Sequence, residues 1–210
     1  MQLDLFPLHT VLFPRTSLPL HIFEPRYLAM IGECVKNDSV FGVALIADGE
    51  EVGDAATPHD IGTTARIRSI EKQPDGQLDI VVVGESRFQI DAIISHDPYV
   101  IANVDFLPLP ETDSKAVRTD AEDVRERFDR LVTMMIEVQS GYMPVVDLPS
   151  DIVQLAYLVA AGIPSDLLTA QRLLEAQTLQ SLLDMERALL NERIEKATRL
   201  LRDKLNARRN

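Results

Sequence analysis

The chain has 210 residues, 46% hydrophobic and 26% charged, a composition that suits a globular protein with room for one or two domains. Its formal net charge is −12, and residues 1–110 hold 16 acidic against 7 basic side chains, the wrong field for holding a nucleic-acid backbone. A lone cysteine rules out an internal disulfide, no apolar run nears the roughly 20 residues of a membrane span, and no basic segment precedes the opening apolar stretch, so a cytoplasmic location is expected.

From Met1 to Pro110 the segments are short and rich in β-formers. "LDLFPL" and "SLPLHIF" read as strands, and the proline in each places them at sheet edges, bulges or corners. "EPRYLAMIGECVKND" reads as a helix: Pro25 suits its first position, Tyr27, Leu28, Ile31 and Val35 recur at helical spacing, and Cys34 falls off that stripe. "VFGVALIA" is a buried strand, and "DGEEVGDAATPHD" an acidic loop. "PDG" joins "IGTTARIRSIEKQ" to "QLDIVVVGE" as a hairpin. "SRFQIDAIIS", starting after a tight glycine turn, and "YVIANVDFLPL" complete seven strands around one helix, which suggests a small barrel.

After the polar linker "LPLPETDSKAV" the pattern becomes helical. Val124, Phe128, Leu131, Val132, Met135 and Val138 mark one face of a helix over 120–140. Ser150 or Asp151 caps a short helix that Gly162 and Pro164 stop, and Ser165 or Asp166 caps another. A last helix carries Leu179, Leu182, Leu183, Leu190, Ile194, Ala197, Leu201 and Leu205 on one face. Its distal stripe, from Ile194 to Leu205, is expected to meet either a partner or the rest of the fold.

No catalytic, metal or cofactor constellation emerges. There is no phosphate-binding glycine loop and no H-E-x-x-H. His9, His21, His59 and His96 are scattered, and His21 lies on a strand, where its three-residue spacing to Glu24 cannot ligate a metal as it would on a helix. "GESRF" is not the G-x-S-x-G elbow, and Glu50 and Glu51 sit in a solvated loop. Two clusters stand out instead, "LPLHIFEPRY" and "VVVGESRFQI". Phe23, Glu24, Arg26, Tyr27, Gly84, Arg87 and Phe88 within them read as barrel core and seam, with Glu24 and Arg87 as expected partners.

These clusters carry a resemblance. "LDLFPLHTVLFPRTSLPLHIFEPRYLAMI", "FGVALI", "IGTTARIRSIEKQPDGQLDIVVVGESRFQI" and "YVIANVDFLP", in that order, resemble the N-terminal substrate-binding domain of Lon proteases. "LPSDIVQLAYLVAAGI" and "AQRLLEAQTLQSLLDMERALLNE" resemble the helical part that follows in that family. The resemblance implies an α+β fold: a PUA-like β pseudobarrel with one inserted helix over 1–112, then a C-terminal helical bundle over 113–210 ending in a long helix. It also implies recognition of protein substrates. No ATPase module and no serine–lysine protease domain follow in these residues, so a stand-alone, non-catalytic binding module is expected. Unfolded or hydrophobic protein segments, a resident Lon protease, or a second copy docking through the last helix are the expected partners, with no nucleic acid and no membrane. Phe13, Pro14, Arg15, Tyr142 and Met143 are the candidate binding rim, in a cleft between barrel and helices. The alternatives are a small-molecule-binding or enzymatic PUA-like protein and an RNA-binding module; the latter rests on fold analogy alone.

Overall fold

The structure is a computed structural model. It describes residues 1–51, 53, 56–109, 114–139 and 148–207, with the backbone alone at 139 and 205–207. Two compact units emerge, Met1–Pro108 with Asp166–Glu175, and Leu109–Ser165 with Ala176–Asn210. The α+β class expected from the sequence is the one observed.

The first unit is built on a ring of five strands. β1 (Gln2–Leu8) pairs antiparallel with β7 (Val100–Phe106) through Gln2–Leu5 and parallel with β3 (Phe41–Asp48) through Leu5–Leu8. The ring continues from β7 to β6 (Leu78–Ser95), β5 (Ile61–Lys72) and back to β3. β2 (Ser17–Ile22) pairs with the first third of β6, and the two-residue β4 (Thr57–Pro58) extends β3. Among the described residues Pro7 lies where β1 has one neighbour only, and Pro19 lies on β2, whose only strand partner is β6. Both prolines thus occupy positions where a missing N–H is tolerated.

Successive side chains of a strand point to opposite faces, and here both faces are buried. Leu3 and Leu5 join Phe88, Val100, Ala102 and Val104 in one cluster. Phe6 and Leu8 turn the other way, onto Tyr27, Met30, Ile31 and Cys34 of α1 (Pro25–Asn37). Burial on both faces explains the unbroken apolar run in β3. Pro25 opens α1 as expected, and Asp38 closes it in the left-handed region at φ 48°. The helical phase differs from the expected one: Tyr27, Met30, Ile31 and Cys34 face inward, and Val35 faces solvent. Cys34 is therefore a core residue, and burial pushes its thiol pKa up.

The glycine turn expected before Ser86 is absent, since β6 runs through it without a break. Gly84 serves a close approach instead. The Phe13–Thr16 loop lies directly against it: the Arg15 N–H donates to the Gly84 carbonyl (2.8 Å), and the Gly84 N–H donates to the Thr16 carbonyl (3.0 Å). A Cβ at position 84 would sit 2.3 Å from the Phe13 carbonyl oxygen.

The first unit includes one later element, α4 (Leu167–Leu174), capped by Asp166, whose Oδ1 accepts the Thr169 N–H (2.8 Å). Buried Arg87 donates to the Leu174 carbonyl at the end of α4 (2.6 Å) and to the Pro108 carbonyl (3.2 Å). Gln171 Nε2 donates to the Ile61 carbonyl (2.9 Å). A cation at a helix C-terminus also meets the negative end of the helix dipole.

The second unit holds α2 (Lys115–Gln139), α3 (Ile152–Gly162) and α5 (Leu179–Ala207). α2 begins earlier than its apolar face suggests, because the Ser114 hydroxyl accepts the Val117 N–H (3.2 Å) at its start. Asp151 caps α3 by accepting the Gln154 N–H (2.7 Å). α2 and α5 run in the same direction: Asp120 accepts from Gln180 (2.7 Å), Arg127 donates to Asn191 (2.5 Å), and Lys204 donates to the Val138 carbonyl (2.8 Å). Leu179, Leu182, Leu183, Leu190, Ile194 and Ala197 are buried as expected. Among the described residues no helix is long and apolar enough to cross a membrane.

Candidate functional site

The residues singled out in the sequence divide three ways. Phe13 and Pro14, expected on a binding rim, are buried, and Arg15, though exposed, is held at φ 64° by its bond to Gly84. That loop clamps the barrel and offers no apolar rim. Tyr142 and Met143 lie outside the described residues.

The motif residues are mostly structural, with one changed partnership. Glu24 does not meet Arg87. Its carboxylate lies 3.0 Å from Arg26, whose guanidinium lies 4.7 Å from the Tyr27 ring centre. Tyr27 in turn stacks on Phe6 at 4.0 Å. "EPRY" thus ties the start of α1 to β1 through a carboxylate, a guanidinium and two rings. Phe88 is fully buried, against Gly42 and Gly62. Phe23 is the exception: it is 46% exposed and stacks near the His21 ring at 6.0 Å.

The His21 ring on which Phe23 stacks lines a trough of about 670 Å³ across β2, β6 and β5. Three cross-strand rungs build it: Pro19, Val81 and Ser69; Leu20, Ile80 and Ile70; His21, Asp79 and Glu71. Residues opposite one another share a face. Ile80 points into the core, while Ile70 is 41% exposed.

His21 Nδ1 lies 2.7 Å from Asp79 Oδ1, and Gln73 Nε2 donates to Asp79 Oδ2 (2.5 Å). The hydrogen bond to Asp79 raises the His21 pKa above its ordinary value, and the same bond lowers that of Asp79. The trough therefore combines the fixed His21–Asp79 pair, Ser69 and Glu71 with the apolar residues Pro19, Leu20, Ile70 and Val81. β2 has a sheet neighbour on one side only among the described residues, so backbone groups on its other side are placed to pair with an added extended segment. The arrangement suits binding an extended, partly apolar polypeptide. The described residues contain no group of three His, Cys, Asp or Glu placed to hold a metal ion.

The sequence carried one sign of this trough, the apolar–polar mixture of "LPLHIF". Ile70, Asp79 and Val81 were not singled out, because their meeting along one trough exists only once the registers of β2, β5 and β6 are set.

Comparison with known proteins follows the same lines. Residues 2–201 match the family described as the ATP-dependent protease La (LON) substrate-binding domain. A protein named Lon protease from Flavobacterium johnsoniae is 32% identical over 106 residues, covering 50% of this chain and 13% of that protein. Lon protease 2 of Myxococcus xanthus is 31% identical over 155 residues, covering 73% of this chain and 18% of that protein. The chain therefore spans less than a fifth of the length of these two relatives. Two solved structures share the fold. One is a Lon N-terminal domain protein from Xanthomonas campestris (TM-score 0.64, 24% identity, 88% of this chain and 96% of that one). The other is the N-terminal domain of Mycobacterium avium complex Lon protease (TM-score 0.68, 16% identity, 91% and 98%). The expected combination of a pseudobarrel with a helical part is thus the fold of this chain.

Proposed function

Because the chain belongs to the Lon substrate-binding domain family, we propose that it binds unfolded or hydrophobic segments of protein substrates in the β2–β5–β6 trough, without cleaving them itself. The observation that carries this is exposed Ile70 in the trough, with exposed Phe23 on the His21 ring at its edge, beside strand β2, whose only strand partner among the described residues is β6. Apolar side chains held on a sheet face give contacts that tolerate many sequences, and the strand edge gives main-chain hydrogen bonds that any extended segment can make. The His21–Asp79 pair adds a polar contact of defined direction.

The same proposal places the protein in the cytoplasm, acting without metal or cofactor and without nucleic-acid partners; the acidic first half supports the last point. It also keeps the division of the sequence at residues 112 and 113, with the β-rich part carrying the substrate contacts. A resident Lon protease is the natural recipient of a bound segment.

The test is direct. Fluorescence anisotropy with fluorescein-labelled, permanently unfolded carboxymethylated lactalbumin should show binding that Phe23→Ser with Ile70→Asp weakens at least about tenfold, a loss of roughly 1.4 kcal/mol. Both side chains are substantially exposed, so the melting temperature should stay within a few degrees of wild type. Undiminished affinity in that variant would overturn the assignment of the trough.

A further inference from the structure

The second unit has a surface of its own. α3 meets α2 at Phe128, where a Cβ on Gly162 would lie 2.6 Å from the Phe128 ring. Beyond Pro164 and Ser165, the distal parts of α2 and α5 face each other across an open groove of about 390 Å³. Its α2 side is Leu131, Met135 and Val138, and its α5 side is Arg193, Lys196, Ala197 and Leu200. Both sets follow helical spacing, so each lines one stripe for about two turns, roughly 10 Å at 1.5 Å per residue. Leu131 and Ala197 form the buried floor, and Leu200 is 48% exposed.

The charge around this groove contrasts with the rest of the chain. The described residues 191–207 carry five Lys or Arg and three Asp or Glu, a net of +2 within a protein of −12. Of the two cations that line the groove, Arg193 is engaged. Its Nε donates to the Pro164 carbonyl (2.7 Å), and its terminal nitrogen pairs with Glu192 (2.8 Å). Lys196 is exposed and makes no ion pair among the described residues. At the far end Lys204 is spent on the carbonyls of Glu137 and Val138. An apolar floor with an uncommitted cation on its rim selects for an apolar stripe flanked by carboxylates.

We propose that this groove docks an acidic amphipathic helix of a partner protein. The occupant presents apolar side chains at i, i+3 or i+4, and i+7 to Leu131, Met135, Ala197 and Leu200, and sets Asp or Glu against Lys196. The two-turn length of the lined stripes matches the helix-in-groove mode of recognition. Specificity comes from the charge, since a basic helix with the same apolar stripe meets Lys196 and Arg193 with like charge.

The experiment uses the full 210-residue chain and two fluorescein-labelled peptides of about 18 residues with identical leucine stripes, one flanked by glutamates and one by lysines. The acidic peptide should bind, with an affinity that falls as salt rises, and the basic peptide should bind at least about tenfold more weakly. Lys196→Glu should weaken the acidic peptide about tenfold and strengthen the basic one, a reversal that loss of folding cannot produce. Leu200→Asp should weaken both while the melting curve stays cooperative. Equal binding of the two peptides, or indifference to Lys196→Glu, would overturn the proposal. So would sedimentation showing a wild-type dimer that Leu200→Asp dissociates, since a second copy would then be the occupant.

Discussion

Glu186 is fully buried in the helical unit, at a position of α5 flanked by Leu182, Leu183 and Leu190 on the same stripe. Among the described residues neither carboxyl oxygen makes a hydrogen bond of good geometry, and the nearby Ala160 backbone offsets the cost of burial only in part. Burial raises its pKa well above the usual carboxylate value, so the folded state holds it protonated where the unfolded chain ionises it. The folded state then binds the extra proton, and stability must fall as pH rises above about 4.5, the ordinary value for the group. Stability from this proton is complete below that pH and is lost progressively above it. Glu186→Gln removes the ionisation and keeps the shape. Urea denaturation from pH 4 to 8 should show the variant gaining on wild type by about 1.4 kcal/mol per pH unit while the buried carboxyl stays protonated. Parallel pH profiles for the two proteins would refute this assignment.

At the scale of elements, β6 holds the barrel unit together. It pairs with β2, β5 and β7, and at Gly84 it receives the Phe13–Thr16 loop. Gly84→Ala forces a methyl group into a carbonyl oxygen that backbone bonds on both sides fix in place. The expected cost is at least about 3 kcal/mol, at the upper end of overpacking, read as a lowered urea midpoint. A midpoint unchanged from wild type would mean that the loop yields.

These elements also show what the sequence could disclose. Caps and turns are local chemistry, so Asp151, Asp166, Pro25 and the "PDG" hairpin were legible residue by residue. The role of Gly84 was not, because the group that forbids a side chain there lies 71 positions earlier in the chain, at Phe13. The pairing of Glu24 with Arg26 rather than Arg87 is likewise a tertiary outcome, since Arg87 serves the end of α4. The grouping of α4 with the strands was equally hidden: its amphipathic pattern fixes which face is buried and leaves open what covers it. In α1 the apolar spacing pointed to Leu28 and Val35, and packing on β1 instead buries Met30 and Cys34.

The whole molecule combines an acidic β-rich unit, which offers a trough of mixed apolar and polar lining beside β2, with a helical unit whose last helix carries Lys204 in its last turn. Substrate binding through the trough is the central claim, and it concerns a place as much as an activity. Site-specific photocrosslinking reads that place directly. A benzoylphenylalanine at Ile70, inside the trough, is compared with one at Ile94, an exposed apolar residue of β6 outside it. With carboxymethylated lactalbumin as client, position 70 should crosslink strongly and position 94 weakly. Native lactalbumin should crosslink at neither. Equal yields from the two positions, or capture at 94 alone, would contradict substrate binding in the trough.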